Sequence, residues 1–160
     1  MRVWRLGPAR HPPLDGEGAR RASGRWNPRG VPMVYTSAHL SLAVLEKLVH
    51  VDFDTFPADV VCYEVEVPDE LPVRVVELAG LPGGWDSMPA PAFTQDLGAA
   101  WARGPADSPG ILSVPSVVVP RERNFLLNPL HPDAKRWKVV NREPFRLDGR
   151  LGRASGRLSQ

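Results

Sequence analysis

The stretch that decides the fold runs from residue 24 to residue 50 and reads GRWNPRGVPMVYTSAHLSLAVLEKLVH. Its NPRG segment, residues 27–30, is typical of a tight turn, since proline fixes one central dihedral and glycine relieves the exit. Residues 31–35 continue as a predicted strand, and residues 38–50 have the leucine and alanine content of a helix. An arginine, a tyrosine and a glutamate thus fall within one turn, one strand and one helix, as the side chains of a site do.

The predicted helix has a broad apolar surface and a narrow polar strip. Thr36 or Ser37 is expected to provide its N-cap. At about 100° per residue the large aliphatic side chains gather on one side, which predicts that most of the helix is buried. These side chains are Leu42, Leu45, Leu48 and Val49.

The polar strip carries His39, Glu46 and His50 and admits three interpretations. The first is a solvent-facing edge with a Glu46–His50 pair at i,i+4 spacing. The second is a metal site, although the strip lacks the tight histidine pair of a zinc-binding helix. The third is the wall of a cleft, where partial burial tunes Glu46 for hydrogen bonding or base chemistry. The helix alone leaves all three open.

The composition predicts one domain of the reducing cytoplasm. A chain of 160 residues with 42% hydrophobic residues is long enough for one core, and its 18 prolines and 14 glycines show no repeat, which excludes collagen-like and low-complexity proteins. The lone Cys62 cannot form an intramolecular disulfide, and we expect it to be structural. No window approaches the roughly 20 apolar residues of a membrane span, and the N-terminus has no apolar signal core. No membrane partner is therefore expected.

Both ends of the chain are basic and its middle is acidic. Residues 1–30 hold seven arginines against two acidic residues, and residues 121–160 hold ten basic residues against four acidic ones. Basic arms of this kind bind nucleic acid, bracket a small phosphorylated ligand, or simply solvate two termini. The basic tail lacks the interleaved aromatic residues that stack on bases, so direct nucleic-acid binding is not expected.

The remaining segments predict an α+β fold, with a single compact domain, a mixed or antiparallel sheet and few helices. Period-two alternation and β-branched runs mark the strands, and a second helix is predicted at residues 94–103. The predicted strands, besides residues 31–35, are residues 3–6, 60–67, 73–78, 111–119, 124–129 and 136–140.

Two irregular segments are further candidates for a site. Residues 16–24 form a predicted loop rich in glycine and arginine, which suits a phosphate group but is also typical of an ordinary surface loop. Pro115 interrupts the strand at residues 111–119 and predicts an edge strand or a bulge, because proline cannot donate within a ladder. Ser116 follows it, and such an irregularity either re-aims a serine into a site or leaves it structural.

Five groups of residues, in a fixed order, carry a family resemblance. They are Gly24-Arg25-Trp26-Asn27; Val34-Tyr35-Thr36-Ser37 with Ala43-Val44-Leu45-Glu46; Thr94-Gln95 with Gly98 and Trp101; Val114-Pro115-Ser116; and Asn124, Asn128-Pro129 and His131-Pro132. Together they resemble the RES domain family, which is named for an arginine, a glutamate and a serine. The resemblance places a RES domain at residues 1–147 and leaves residues 148–160 as a flexible C-terminal tail. The sequence departs from the family pattern at Ser23, where such proteins often have a second glycine.

The resemblance implies the toxin of a bacterial RES–Xre toxin–antitoxin pair, with a fold similar to that of ADP-ribosyltransferases. Such toxins deplete NAD by cleaving its nicotinamide–ribose bond, with water or phosphate as the acceptor, and they need no metal. The implied partner is an Xre-like antitoxin that covers the site. Two other functions stay open, namely transfer of ADP-ribose to a protein and a non-enzymatic module that binds nucleic acid or an antitoxin.

The resemblance also assigns the central catalytic roles. The named arginine, glutamate and serine match Arg25, Glu46 and Ser116. Glu46 stabilises or orients the ribose as the bond to nicotinamide breaks, because that reaction passes through an oxocarbenium-like state. Ser116 orients Glu46 or the ribose rather than attacking it, since no base and orienting group are predicted beside it.

The remaining candidates are expected to bind NAD. Arg25, with Arg5, holds the pyrophosphate or the ribose as a planar donor. Tyr35, also a catalytic candidate, stacks on the nicotinamide riboside or hydrogen-bonds it. Trp26 and Asn27 complete the predicted binding site.

Overall fold

The computed structural model describes residues 1–51 and 53–151. Its strands are β1 (Arg2–Pro8), β2 (Val34–Ser37), β3 (Val60–Glu66), β4 (Val73–Val75), β5 (Ile111–Pro115), β6 (Arg123–Leu127) and β7 (Lys138–Pro144). Its α-helices are α1 (Glu17–Ala22), α2 (Leu40–Leu48) and α3 (Ala92–Ala102). Short 3-10 helices occupy Phe53–Thr55, Leu78–Gly80 and Pro132–Arg136.

All of these strands form one sheet in the order β4-β5-β6-β2-β1-β3-β7. β4 and β5 run parallel, whereas the other neighbouring strands run antiparallel. The predicted α+β class, with one mixed sheet and few helices, is therefore confirmed.

The centre of the sheet is joined unevenly. β3 pairs with β1 along its whole length, from Arg2–Glu66 to Pro8–Val60, and β6 pairs with all of β2. β1 and β2, by contrast, meet at the pair Trp4–Ser37. The sheet thus consists of two well-paired halves, β4-β5-β6-β2 and β1-β3-β7, which meet at Ser37.

Each face of the sheet has its own hydrophobic core, because successive strand residues point to opposite sides. The first core contains Val3, Val34, Val65, Val67, Leu71, Ile111, Leu127 and Trp137. The second contains Trp26, Met33, Trp85, Trp101, Leu112, Val114 and Leu126. Trp101 comes from α3, so this helix covers the second face. Asn124 lies two residues before Leu126 on β6 and therefore projects from that same face.

The helix that carries Glu46 begins later than predicted. Thr36 and Ser37 are still extended in β2, and His39 takes the N-cap position before Leu40. The predicted N-cap is therefore wrong. Both hydroxyls are instead used within the sheet, where they donate to groups of β6.

The same helix is less buried than its apolar content predicts. Leu42 and Ala43 are buried, whereas the side chains of Leu45 and Val49 are 41% and 58% exposed. α2 contacts β1 and β2, and the buried positions show that it packs on them along one narrow side. Apolar residues on one face of α2 are therefore not all covered by the sheet.

Two further predictions are wrong. Residues 16–24 contain the helix α1, in which Glu17 forms ion pairs with Arg20 and Arg21. β5 is an interior strand rather than an edge strand. It tolerates Pro115 as its last residue, opposite Arg123, and the next N–H, that of Ser116, donates to the Glu122 carbonyl oxygen at 3.0 Å.

The predicted cysteine role fits its environment. Cys62 lies buried in β3, and burial raises the pKa of its thiol. Within residues 1–51 and 53–151, none of the helices is long and apolar enough to cross a membrane. The predicted tail, residues 148–160, lies outside the described residues from residue 152 onward.

Candidate active site

Glu46 of α2 meets the ends of two strands. Its carboxylate oxygen Oε1 accepts a hydrogen bond from Ser116 Oγ at 2.8 Å and another from Asn124 Nδ2 at 2.5 Å. The second oxygen, Oε2, accepts no hydrogen bond from the residues that the structure describes, and it is not among their buried, unpartnered polar atoms. One carboxylate oxygen is therefore fixed, and the other is open to a ligand.

Ser116 is held in a single orientation directly after β5. It is fully buried, and its Oγ accepts hydrogen bonds from the backbone N–H groups of Val118 at 3.0 Å and Val119 at 2.9 Å. Both acceptor positions of the hydroxyl are thus filled, so its hydrogen is directed to Glu46. The structure brings these two predicted site residues into direct contact.

Asn124 is a site residue that the sequence did not single out for this role. It lies opposite Ser37 in the pairing of β2 with β6, and Ser37 Oγ donates to Asn124 Oδ1 at 2.7 Å. The amide nitrogen is thereby turned toward Glu46. Only the register of the two strands reveals this neighbourhood, because Ser37 was predicted as an N-cap and Asn124 as the first residue of a separate strand.

The contacts of Glu46 bear on the three interpretations of its polar strip. His39 contacts Glu122 rather than Glu46, with 3.1 Å between the His39 Nδ1 and the Glu122 Oε2, and His50 is exposed. In the described part of the chain, no three histidine, cysteine, aspartate or glutamate side chains gather as potential metal ligands. The half-buried carboxylate, bound to Ser116 and Asn124, fits the wall of a cleft.

Arg25 lies in the loop between α1 and β2 and binds a second loop, residues 85–88. Its Nη1 donates to the Trp85 carbonyl oxygen at 2.6 Å, and its Nη2 donates to that of Ser87 at 3.1 Å. Burial lowers the pKa of Arg25, while the charges of Asp86 and Glu46 act in the opposite direction. A guanidinium has five N–H groups, so the Nε–H and one N–H of Nη1 still lack a partner among the described residues.

The Tyr35 hydroxyl is bonded within the protein. It donates to Asn27 Oδ1 at 2.7 Å and accepts from the Trp26 backbone N–H at 3.0 Å. Burial raises the pKa of Tyr35, and the hydroxyl therefore keeps its proton. Tyr35 thus fixes the loop that presents Arg25.

Asn27 and Trp26 belong to this loop and are its buried residues. Asn27 is fully buried, and its Nδ2 donates to the carbonyl oxygens of Ala19 at 2.9 Å and Val31 at 3.1 Å. The Trp26 ring is buried against Trp85, with 6.4 Å between ring centroids. Both residues were predicted to bind NAD, and the structure places both in the packing that supports the site.

Two glycines allow α3 and the Arg25 loop to approach closely. A Cβ on Gly24 would lie 2.7 Å from the Tyr35 hydroxyl, and one on Gly98 of α3 would lie 1.8 Å from the Trp26 carbonyl oxygen. Gln95, one turn before Gly98, donates from Nε2 to the Gly24 carbonyl oxygen at 3.0 Å. These contacts fix the loop against α3.

Arg5 stands apart from the carboxylate. Because Trp4 pairs with Ser37, the Arg5 side chain projects from the opposite face of β1. Its Nη1 donates to the Tyr35 carbonyl oxygen at 3.4 Å, and its buried Nε has no partner among the described residues. Burial lowers the pKa of Arg5. The structure does not bring Arg5 to Glu46, and its role in NAD binding stays a prediction.

The comparisons with known proteins agree on one family. The family model of the RES domain matches residues 2–148. A relative from Sphingobium sp. (strain YBL2), named Prs ADP-ribosylating toxin, is 40% identical over 140 residues, which are 86% of each chain. A relative from Photorhabdus laumondii, named Toxin Res, is 35% identical over 141 residues, which are 88% of each chain.

A solved structure shares the fold. The M.tuberculosis MbcT-MbcA toxin-antitoxin complex contains a chain that superposes with a TM-score of 0.72 and 19% identity, over 96% of this chain and 87% of that one. This chain and that one therefore share their overall fold. The family model spans nearly all of the described residues, and both relatives align over more than four-fifths of their length. The chain therefore belongs to the RES domain family of toxins.

Proposed function

We propose that this RES domain protein is an enzymatic toxin that consumes NAD by cleaving its nicotinamide–ribose bond, with water or phosphate as the acceptor. The observation that carries the proposal is the Glu46 carboxylate, with Oε1 fixed by two donors and Oε2 open. As the bond to a cationic nicotinamide breaks, positive charge develops on the ribose. A carboxylate already fixed in place stabilises that charge without reorganising.

Arg25 supplies the opposite charge. NAD carries a pyrophosphate, and a guanidinium binds phosphate oxygens through its fork of N–H groups. Two nitrogens of Arg25 already bind the loop at residues 85–88. We assign its Nε–H and the remaining N–H of Nη1 to the pyrophosphate or the ribose, so that one side chain binds substrate and braces the loop beside it.

Ser116 acts as an orienting group in this proposal. A serine nucleophile needs a free lone pair on Oγ, and both acceptor positions of Ser116 are filled by backbone N–H groups. Tyr35 is proposed to contact the nicotinamide riboside with its ring, since its hydroxyl is used inside the loop. Trp26 and Asn27 hold this tyrosine in place.

An NAD assay with and without phosphate tests the proposal. The purified protein, free of any partner, is expected to consume NAD and release nicotinamide, and the product distinguishes ADP-ribose from its phosphorylated form. Folded Arg25→Ala and Glu46→Ala variants should lose the activity. Glu64→Ala is the matched control, because it removes a carboxylate of β3 that pairs with Arg2 outside the site. NAD that persists with the folded wild-type protein overturns the proposal.

Transfer of ADP-ribose to a protein is the second candidate. The Sphingobium relative is named an ADP-ribosylating toxin, and this reaction breaks the same bond of NAD with a protein side chain as the acceptor. Mass spectrometry of cell protein after expression separates the two. Abundant ADP-ribosylated protein with unchanged NAD favours transfer, whereas NAD loss without modified protein favours hydrolysis or phosphorolysis.

The proposed partner is an Xre-like antitoxin that covers the cleft in the cytoplasm. The similar M.tuberculosis toxin was solved in complex with its antitoxin. Co-expression of this chain with a small helix-turn-helix protein from the neighbouring reading frame tests the pairing. The purified complex is expected to leave NAD intact, and release of the antitoxin should restore NAD consumption.

A further inference from the structure

We propose that Asn124, aligned by Ser37, is a positioning residue that turns the Glu46 carboxylate toward the ribose of NAD. The inference rests on the proposed NAD-cleaving function and adds two residues to it. Ser37 is buried and Asn124 is half-buried, and both lie where β2 pairs with β6 near the centre of the sheet.

The three side chains form a chain of hydrogen bonds with one possible direction. An ionised carboxylate only accepts hydrogen bonds, so the Asn124 amide must present its NH₂ group to Glu46. Its carbonyl oxygen then faces Ser37, which donates to it at 2.7 Å. Ser37 thereby stabilises the orientation in which the amide presents its NH₂ group to the carboxylate.

Ser116 alone is not sufficient to fix the carboxylate. The terminal torsion of a glutamate is broad, so a single hydrogen bond leaves the plane of the carboxylate free to rotate. Ser116 follows β5 and Asn124 lies in β6, and their side chains converge on the same oxygen, Oε1. Their convergence fixes the position and the plane of the carboxylate and leaves the other oxygen free for a hydroxyl of the ribose.

The charges around Glu46 make the inference testable by pH. Arg25 and Tyr35 are the ionisable groups whose electrostatic interaction with Glu46 is evident, and burial keeps Tyr35 protonated. Asn124 is neutral and lies 2.5 Å from the carboxylate. Asn124→Asp therefore places a second carboxylate directly against the first with little change in shape.

The first experiment compares Asn124→Ala with wild type in NAD turnover. We expect kcat to fall about 10- to 100-fold and KM to change less than about threefold, since the variant misplaces the reacting carboxylate rather than removing substrate contacts. Asn128→Ala is the matched control. Asn128 is also a buried asparagine, but it binds backbone groups of Ala102 and Leu130, so its loss should lower the melting temperature and leave the pH profile unchanged.

The second experiment is the pH profile of Asn124→Asp. Facing carboxylates cannot both ionise freely, so one keeps its proton to higher pH and the acid limb of kcat/KM is expected to move up by about one pH unit or more. Asn124→Ala should move the acid limb less than Asn124→Asp does, because it removes one hydrogen bond from the carboxylate without adding a second charge. Superimposable profiles for Asn124→Asp and wild type overturn the inference, as does an unchanged kcat for folded Asn124→Ala.

The third experiment tests Ser37 by a double-mutant cycle. Ser37→Ala is expected to lower kcat by about 3- to 10-fold, and the double variant should match Asn124→Ala within about twofold, because Ser37 acts through the amide. If the reductions in kcat caused by the two substitutions multiply in the double variant, Ser37 does not act through Asn124.

A direct titration separates this inference from the proposed function. Wild-type protein labelled with ¹³C at glutamate side-chain carboxyls, with the Glu46 signal assigned by its loss in Glu46→Gln, is compared with Asn124→Asp. We expect the Glu46 signal to titrate at higher pH in the variant. If the wild-type protein leaves NAD intact, the proposed function fails, but this titration still tests the contact between Asn124 and Glu46. Identical titrations of Glu46 in the two proteins overturn the inference.

Discussion

The two halves of the candidate site are built in different ways. The carboxylate half joins side chains from distant segments, with hydrogen bonds that span 70, 78 and 87 positions of the chain. Its members are Ser37, Glu46, Ser116 and Asn124. In the guanidinium half the bonds of the Tyr35 hydroxyl span only eight and nine positions, whereas those of Arg25 to Trp85 and Ser87 span 60 and 62. Its members are Arg25, Trp26, Asn27 and Tyr35.

The two halves use their polar side chains for different purposes. The carboxylate half uses three polar side chains to fix one oxygen of Glu46 and leaves the other open. The guanidinium half uses the Tyr35 hydroxyl and the Asn27 amide on its own loop. Changes in the first half should therefore affect the reaction more than stability, and changes in the second should affect stability as much as the reaction.

Glu46→Gln is the sharpest test of this difference. Glutamine keeps the shape, and its Oε1 still accepts from Ser116 and Asn124, but the charge opposite the ribose is lost. NAD consumption is expected to fall by about 10²- to 10⁴-fold, the range typical of a lost acid–base or charge-stabilising group. The melting temperature should change little. A folded variant with the wild-type rate would show that Glu46 takes no part in the reaction. The expected difference between the two halves in their effect on the rate would then be absent.

Arg25→Lys tests whether the guanidinium half acts through its loop. Lysine keeps the charge but has no fork to hold the carbonyl oxygens of Trp85 and Ser87 together. We expect kcat/KM to fall by about 10- to 100-fold, a factor typical of a slightly misplaced binding group. Hydrogen exchange at residues 85–88 should become faster.

The outcome of Arg25→Lys is read from both measurements together. Unchanged exchange with a reduced rate assigns Arg25 to substrate binding alone. Faster exchange with an unchanged rate assigns it to the loop alone. Arg29→Lys, on an exposed residue of the same segment, is the control and should change neither quantity.

The sequence predicts the guanidinium half of the site far better than the carboxylate half. A turn, a strand and a helix follow one another between residues 24 and 50, so the proximity of Arg25, Tyr35 and Glu46 follows from chain connectivity. Asn124 approaches Glu46 only because β6 pairs with β2 in one particular register. A single sequence does not specify which strands become neighbours, and so this contact was not predicted.

Burial on α2 shows a second limit of sequence reasoning. Helical periodicity correctly groups Leu42, Leu45 and Val49 as apolar, but it does not say what covers them. α2 rests on β1 and β2 along a narrow side, so Leu42 is buried and Val49 is exposed. The fold class, in contrast, follows from patterns within single segments, such as the alternation in β3, and does not depend on which segments pack together. It was predicted correctly.

Tyr35→Phe should affect stability more than the reaction. The change leaves Asn27 Oδ1 and the Trp26 N–H without their buried partner, which costs about 1–3 kcal/mol of unfolding free energy. Urea denaturation measures this loss, and turnover at a temperature where both proteins are folded should fall by less than in Glu46→Gln. Equal stability of the two proteins would contradict the supporting role of the hydroxyl.

The pH dependence of this loss has a definite sign. Burial raises the folded-state pKa of Tyr35 above the ordinary value of about 10, so the unfolded chain releases the proton first. The stability that the hydroxyl contributes is then complete below about pH 10 and declines as the pH rises further. The gap between wild type and Tyr35→Phe should shrink in alkaline solution, whereas a constant gap would contradict the burial of the hydroxyl.

Ser23→Gly is the smallest expected effect, and it tests whether the guanidinium half stores strain. Ser23 joins α1 to the Arg25 loop with φ 65° and ψ 170°, a combination that is essentially restricted to glycine and costs other residues about 1–3 kcal/mol. Glycine relieves this cost but adds about 0.5–1 kcal/mol of unfolded-chain entropy. The net expectation is a gain of about 1 kcal/mol in unfolding free energy, with NAD turnover unchanged. Ala22→Gly, at the preceding helical position, should instead destabilise by up to about 1 kcal/mol. If both glycine variants destabilise, the loop carries no strain, and the two halves differ in their contacts alone.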